Sequence, residues 1–330
     1  MTIRTSILGV LVSVAVTFAG CGGAGSAAVP PGGGATAAPS SGATAAPGSG
    51  VQSATSYACP SAATSSGMLD CTKLPLGDRK VTSAPAVGYV EDCMTPSGSP
   101  VVASAPWLNT VAGTWDAVTK LVVKGSVTWA GTISVASAGG SLNVSGNELP
   151  LSSVPTGTFP IASSDPAYQY DRNPNAIASH AVNLSLPANP TAAATPTCLG
   201  GGMIGITVTG VAVYDAFDGA GYDAVAREIQ DGCHGHPDQS DTYHYHGWLQ
   251  ACVPDAGSAT QNSSLLGYAL DGFGIYGAWY GGRILTTADL DACHGTTSTV
   301  MWNGAPVSIY HYVSTYDFPY TLGCFKGTPV

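Results

Sequence analysis

Gly205-Ile-Thr-Val-Thr-Gly-Val-Ala-Val-Tyr-Asp215 and Gly267-Tyr-Ala-Leu-Asp-Gly-Phe-Gly-Ile-Tyr-Gly277 are two versions of one stretch. In each, apolar alternating runs flank a dipeptide, Thr209-Gly210 or Asp271-Gly272. Such dipeptides suit two-residue hairpin turns, with glycine supplying positive φ. Downstream the match resumes: Asp231-Gly-Cys-His-Gly235 aligns with Asp291-Ala-Cys-His-Gly295, and Tyr243-His-Tyr-His246 with Tyr310-His-Tyr-Val313. Gly205 lies 28 positions before Cys233 and Gly267 lies 26 before Cys293. Self-similarity in a fixed order marks a duplicated supersecondary unit. Each copy (205–252 and 267–324) reads as a hairpin, a short helix or loop, a Cys-His-Gly corner and a Tyr-His-Tyr strand; Asp223–Gln230 has helical composition.

Upstream, residues 81–190 alternate apolar and polar in short runs such as Lys120–Lys124, Ser126–Trp129, Thr132–Val135 and Ser141–Ser145. Gly, Asn or Pro separates them, which is the pattern of antiparallel strands. The expected fold is therefore mainly β: a sandwich-like antiparallel scaffold with a disulfide-stapled C-terminal domain of two related hairpin-containing units. The expected division is an N-terminal β region over 58–139 and the repeat-bearing domain over 140–330.

The N-terminus reads as an address. Arg4, an apolar run over 6–19 and small residues before Cys21 describe a secretory signal over residues 1–20. Cys21 directly after Ala-Gly fits a lipidation site. Residues 21–57 are nearly all Gly, Ala, Pro, Ser and Thr, a tether that cannot bury a core. The expected place is the bacterial cell envelope, outside the cytoplasm: lipid-anchored, with an outer membrane weakly favoured if the host has two, or secreted. A membrane is met through the lipid alone, since no later run reaches the ~20 apolar residues of a span.

Net charge is −10, and from Leu199 onward twelve acids face three bases, Arg227, Arg283 and Lys326. That balance excludes nucleic acid as a partner and suits a cation. Setting Cys21 aside leaves eight cysteines in an oxidising compartment, hence four disulfides by default. The repeat suggests Cys233–Cys252 and Cys293–Cys324, leaving Cys59–Cys71 and Cys93–Cys198.

Six of seven histidines fall in the repeat: His234, His236, His244, His246, His294 and His311. In a strand His244 and His246 share a face while Tyr243 and Tyr245 share the other. Two His-x-His pairs within thirteen residues can meet on one ion, and imidazole with carboxylate selects Zn²⁺ or Cu²⁺. Asp231, Asp241 and Asp271 are nearby oxygen ligands or ring-orienting partners, although Asp271 also reads as the first residue of a hairpin turn. Ca²⁺ at Asp215, Asp218 and Asp223 is a weaker reading, because a turn and a helix N-cap explain those residues more plainly. His180 is read as an ordinary strand residue. Gly200-x-Gly202-x-x-Gly205 leads into a strand rather than a helix, so it is no dinucleotide site.

Gly202-Met-Ile-Gly-Ile206, Cys233-His-Gly-His-Pro237, Tyr243-His-Tyr-His246, the run from Leu266 to Gly277, Leu290-Asp-Ala-Cys293 and Phe318–Gly327 resemble the YHYH domain family. The resemblance covers about 140–328. It implies a secreted or lipid-anchored protein, chiefly bacterial, in a family without an assigned biochemical role. Gly274 stands where the family usually has Pro, and Thr209-Gly210 where it often has Asn-Gly.

Three functions follow as expectations. The first is an extracytoplasmic metal-binding module holding Zn²⁺ or Cu²⁺ on His236, His244 and His246, with His234, His294 or His311 contributing. The second is a metal-dependent hydrolase or oxidase with an open coordination position and Asp231 or Asp271 as base. The third is a structural or adhesive surface protein without metal. No catalytic residue, substrate or small-molecule or carbohydrate ligand is identified; clustered on a surface, Tyr276, Trp279, Tyr280, Tyr316 and Tyr320 would suit sugar stacking.

Overall fold

The structure, a computed structural model, describes Pro60 and residues 62–330, which belong to one compact unit. The signal segment, the tether, Cys21 and Cys59 lie outside the described residues. Among the described residues no helix is long and apolar enough to cross a membrane.

The molecule is mainly β. A three-stranded antiparallel sheet comprises β1 (Ile133–Ala138), β2 (Ser141–Gly146) and β3 (Val182–Pro187), with β2 in the middle. The β1–β2 hairpin turns at Gly139-Gly140, so the expected boundary between 139 and 140 falls inside one supersecondary element. The Lys120–Lys124 and Ser126–Trp129 runs make only isolated bridges, Val123 with Asp231 and Val127 with Thr156. Side chains hold them as well: Lys120 is buried with its Nζ donating to Gln230 Oε1 at 2.7 Å, and Trp129 Nε1 donates to Thr156 Oγ1 at 2.9 Å.

The repeat builds the larger sheet. Its strands are β4 (Met203–Thr207), β5 (Ala212–Tyr214), β6 (Gly235–Pro237), β7 (Tyr243–Tyr245), β8 (Leu265–Ala269), β9 (Gly274–Gly277), β10 (Gly295–Trp302) and β11 (Ala305–Ser314). They are ordered β6-β7-β5-β4-β8-β9-β11-β10. That order reads the same from either edge once β4 is matched with β8, β5 with β9, β7 with β11 and β6 with β10. A pseudo-dyad thus runs between β4 and β8, where Gly205 pairs with Ala269 and Thr207 with Gly267. The backbones approach closely there: a Cβ on Gly267 would lie 2.6 Å from the Ile206 carbonyl, so only glycine fits. The registers repeat as well. β5 and β7 run parallel with Val213 opposite Tyr245, and β9 and β11 run parallel with Ile275 opposite Tyr312. Gly210 and Gly272 turn the two hairpins at φ of 86° and 87°.

The layers join as a sandwich. Leu142, Val144, Val182 and Leu186 of the small sheet pack with Ile206, Tyr268 and Trp302 of the large one. The larger core gathers Val213, Tyr243, Tyr245, Ile275, Tyr312 and Phe325 with Trp107 and Trp115 from the N-terminal region. That region also clamps helix α1 (Ala224–Arg227). Asp223 caps α1 by accepting from Ala226 N, while its other oxygen accepts from Gly77 N at 2.8 Å and from the Tyr320 hydroxyl. Arg227 pairs with Asp78 at 2.6 Å, and Trp107 Nε1 donates to the Ala226 carbonyl at 2.9 Å. A four-residue helix is not stable alone; these tertiary bonds hold it.

Disulfides join Cys93–Cys198, Cys233–Cys252 and Cys293–Cys324. Cys71 is disulfide-bonded, and Cys59, the partner named from the sequence, lies outside the described residues. These bonds fit an extracytoplasmic location.

Candidate metal centre

Each repeat unit turns a corner on a carboxylate. Asp231 Oδ1 accepts from Cys233 N at 2.8 Å and Gly235 N at 3.2 Å, and both oxygens take the Tyr243 hydroxyl at 2.9 Å. Asp291 Oδ1 does the same with Cys293 N at 3.0 Å, Gly295 N at 3.1 Å and the Tyr310 hydroxyl at 2.9 Å. These bonds place His234 and His294 in the left-handed region, at φ of 66° and 68°. Their rings therefore turn inward: His234 lies against Trp248 at 5.2 Å, and His294 Nε2 meets Thr315 Oγ1 at 3.0 Å. Burial pushes both imidazoles down in pKa, to about 3 for His294. Burial raises Asp231 to about 6 against its hydrogen bonds. Asp271 accepts from Tyr312, Gly327 N and Phe273 N. Asp241 accepts from Ala176 N at 3.0 Å. Asp231 and Asp271 thus serve the scaffold in this structure, and the structure does not bring them into the histidine cluster.

His236, His244 and His246 do converge, with one nitrogen from each lying within 4.8 Å of the others, all buried. The strands dictate this. His236 on β6 sits directly opposite His244 on β7, and His246 follows two residues on along the same face. The fourth group is Glu228, the residue that ends α1 in extended conformation. Its Oε2 lies 3.1 Å from His236 Nε2 and 3.2 Å from His246 Nε2.

The rings are oriented from behind. His244 Nδ1 faces the Thr242 carbonyl at 3.0 Å, and His246 Nδ1 faces the Asp215 carbonyl. A carbonyl only accepts, so both Nδ1 atoms carry a proton, and in the neutral rings both Nε2 atoms present lone pairs. Those Nε2 atoms lie 3.0 Å apart. Tyr214 stacks on His244 at 3.9 Å, and the Asn173 amide reaches toward His236 Nδ1 at 3.5 Å. Glu228 Oε2 and His236 Nε2 are buried at ion-pair distance from each other and make no hydrogen bond outside the cluster, so the carboxylate charge is answered by the rings alone. The charges respond accordingly. Burial disfavours the Glu228 carboxylate, but His236 and His246 outweigh it and hold its pKa well below the usual carboxylate range. Burial lowers His246, but Glu228 prevails and raises it. His244 is pushed well down by burial and by the other two rings.

The four groups floor a cleft of about 740 Å³ that is also lined by Asp92, Asp171, Asp215, Asp218 and Asp238. Three imidazoles and one carboxylate on an accessible face are a donor set for Zn²⁺ or Cu²⁺ with room for a further ligand.

His311, on β11, is the counterpart of His244 and stands in the other half of the sheet, against Tyr276 at 5.0 Å. His180 lies outside the cluster, its backbone N–H bonded to the Asn147 carbonyl at 3.0 Å. Asp218 and Asp223 cap the turn at Ala220–Tyr222 and the start of α1, which are turn and cap roles rather than a Ca²⁺ loop. Sequence reasoning passed over Glu228, Asn173 and the Asp215 carbonyl. One signal pointed to Glu228: it is the only glutamate among the twelve acids after Leu199.

Residues 183–283 match the family model described as YHYH protein, a stretch that contains all four converging side chains. The resemblance read from the motifs is shown over that stretch. No curated protein and no solved structure matches the chain.

Proposed function

We propose that this YHYH-bearing chain is an extracytoplasmic metal-binding module, tethered by lipid at Cys21, that holds Zn²⁺ or Cu²⁺ on His236, His244, His246 and Glu228. One observation carries the reading. His244 Nε2 and His246 Nε2 face each other at 3.0 Å, and Glu228 Oε2 lies 3.1 Å from His236 Nε2 and 3.2 Å from His246 Nε2. Four converging Lewis bases, two of them with their far nitrogens fixed by backbone carbonyls, favour a bound cation. Elemental analysis of the full chain, exported to an oxidising compartment and purified without a His tag or added metal, tests it. The expected result is near one Zn or Cu per chain, lost in His244→Ala/His246→Ala. A folded, metal-free protein whose melting temperature ignores chelator would overturn it in favour of a structural role.

A metal-dependent enzyme is the second reading, and the cleft favours it. The cluster opens onto about 740 Å³ rather than being sealed by a protein ligand on every side, as catalytic sites require.

A further inference from the structure

The five aromatics that would suit sugar stacking on a surface part company in three dimensions. Tyr316 and Tyr320 are buried in the core. Tyr276, Trp279 and Tyr280 line one pocket of about 250 Å³, the pseudo-dyad mate of the histidine cleft. The strand registers set the equivalences: His311 stands at the place of His244 and Val313 at that of His246. Thr296 faces His311 across the ladder where His236 faces His244, so the three-imidazole cluster has no counterpart here. The acids are replaced as well. Gly277 and Tyr280 take the sequence places of Asp215 and Asp218, and among the described residues no charged side chain lines the pocket.

Hydrogen bonds pin the walls. Ser263 N donates to the Trp279 carbonyl at 2.8 Å, and Ser263 Oγ accepts from Trp279 N at 3.0 Å. Asn262 Oδ1 accepts from Gly281 N at 3.0 Å, in the turn that joins Trp279–Tyr280 to Arg283–Ile284. The Tyr276 hydroxyl donates to the Met301 carbonyl at 2.7 Å. Beside the rings, the lining offers neutral polar groups: the Asn262 amide, the Thr299 hydroxyl and His311. His311 is only 3% exposed, and its Nδ1 faces the Ile309 carbonyl at 3.1 Å. In the neutral ring Nε2 is then an acceptor, and it meets only the Ser298 hydroxyl, at a long 3.5 Å. Burial lowers the His311 pKa and so keeps the ring neutral.

We propose that this pocket binds a neutral sugar ring, independently of the histidine cluster. A sugar ring carries C–H groups on its faces and hydroxyls on its rim. The Trp279 and Tyr280 rings take the C–H face by dispersion, while one hydroxyl donates to His311 Nε2 and another accepts from the Asn262 amide. The other ligand classes fit less well. A charged ligand finds no counter-charge in the recess, and a wholly apolar one leaves the buried imidazole nitrogen poorly served. The volume is below that of cavities for drug-sized molecules and suits a single ring.

The test titrates the full chain, in chelator, with the methyl glycosides of glucose, galactose, mannose and N-acetylglucosamine and with glucuronate, read by saturation-transfer NMR and calorimetry. At least one neutral glycoside is expected to bind in the millimolar range and more tightly than glucuronate. Trp279→Ala is expected to weaken it at least about tenfold, with part of the loss recovered in Trp279→Phe. Asn262→Asp lies on an exposed residue and keeps the acceptor for Gly281 N; its new charge is expected to weaken binding several-fold even if Trp279→Ala does not fold. His244→Ala/His246→Ala is expected to leave the affinity unchanged, so this proposal and the metal reading stand or fall separately. A tetrasaccharide of the preferred sugar binding more tightly than the monosaccharide marks a polysaccharide as the source, and equal affinity marks a free sugar. No binding of any neutral glycoside, glucuronate bound as tightly, or affinity unmoved by both Trp279→Ala and Asn262→Asp overturns the proposal.

Discussion

His244 Nε2 faces His246 Nε2 at 3.0 Å, and each ring has its other nitrogen committed to a backbone carbonyl. Two imidazoles so held have nothing to exchange unless a cation stands between them. A proton can fill that place, and Glu228 favours it on His246, whose pKa it raises. An ion bound as proposed has to displace it.

Metal binding therefore competes with protons. Glu228→Gln is expected to weaken Zn²⁺ or Cu²⁺ affinity by about 10–100-fold, read by competition with a chromophoric chelator. The wild-type chain is expected to bind more weakly at about pH 6 than at about pH 8, because His246 has its pKa raised and must lose its proton first.

The two tyrosine–aspartate corners are equivalent in pattern but not in cost. Asp231 is fully buried, whereas Asp291 is about a third exposed and also bonds Lys326 at 3.0 Å. Tyr243→Phe removes a hydroxyl from a buried carboxylate and is expected to cost about 1–3 kcal/mol. Tyr310→Phe is expected to cost about 1 kcal/mol or less, since Lys326 and water still serve Asp291. Urea unfolding of the metal-free variants separates the two.

His294 makes the fold acid-sensitive away from the metal centre. Its folded pKa is lowered from 6.5 to about 3 by burial. A depressed folded pKa gives stability that is present above the unfolded value and lost as pH falls toward the folded one. Between about pH 6.5 and pH 3 the unfolded chain gains a proton that the folded chain refuses, about 2 kcal/mol by pH 5. His294→Gln is expected to flatten the wild-type melting-temperature profile over that window, measured in chelator.

Each repeat unit has its own cross-link, with separations of 19 for Cys233–Cys252 and 31 for Cys293–Cys324. Replacing either pair by alanine is expected to cost about 3–4 kcal/mol, the longer loop slightly more. Because Cys233 adjoins the corner that leads into β6, only loss of Cys233–Cys252 is expected to weaken metal retention as well.

The repeat, the hairpin turns and the His-x-His face were legible in the sequence because each depends on short-range spacing. Tyr-His-Tyr-His alternates, so its imidazoles share a face wherever the strand lies. The segregation of His234 and His294 was not legible. Their direction is set by a left-handed backbone at the corner, which depends on carboxylate caps rather than on spacing. Glu228 was missed for a related reason. A four-residue helix clamped by Asp78, Gly77 and Trp107 delivers it, and those partners lie more than a hundred positions upstream. Asp231 and Asp271 looked like ligands by proximity in sequence, but three-dimensional pairing with Tyr243 and Tyr312 assigns them to the frame.

Glu228 and His246 are only 18 positions apart, and every donor of the cluster lies between them. Closing so short a loop has a small entropic penalty compared with joining the two halves of the sheet. In N-to-C synthesis, the first unit is complete before β8 has appeared. With a cation bound as proposed, the order of assembly would run from cation to sheet: a metal captured by the nascent first unit would favour the pairing of β5, β6 and β7, and the second unit would dock onto an edge already organised.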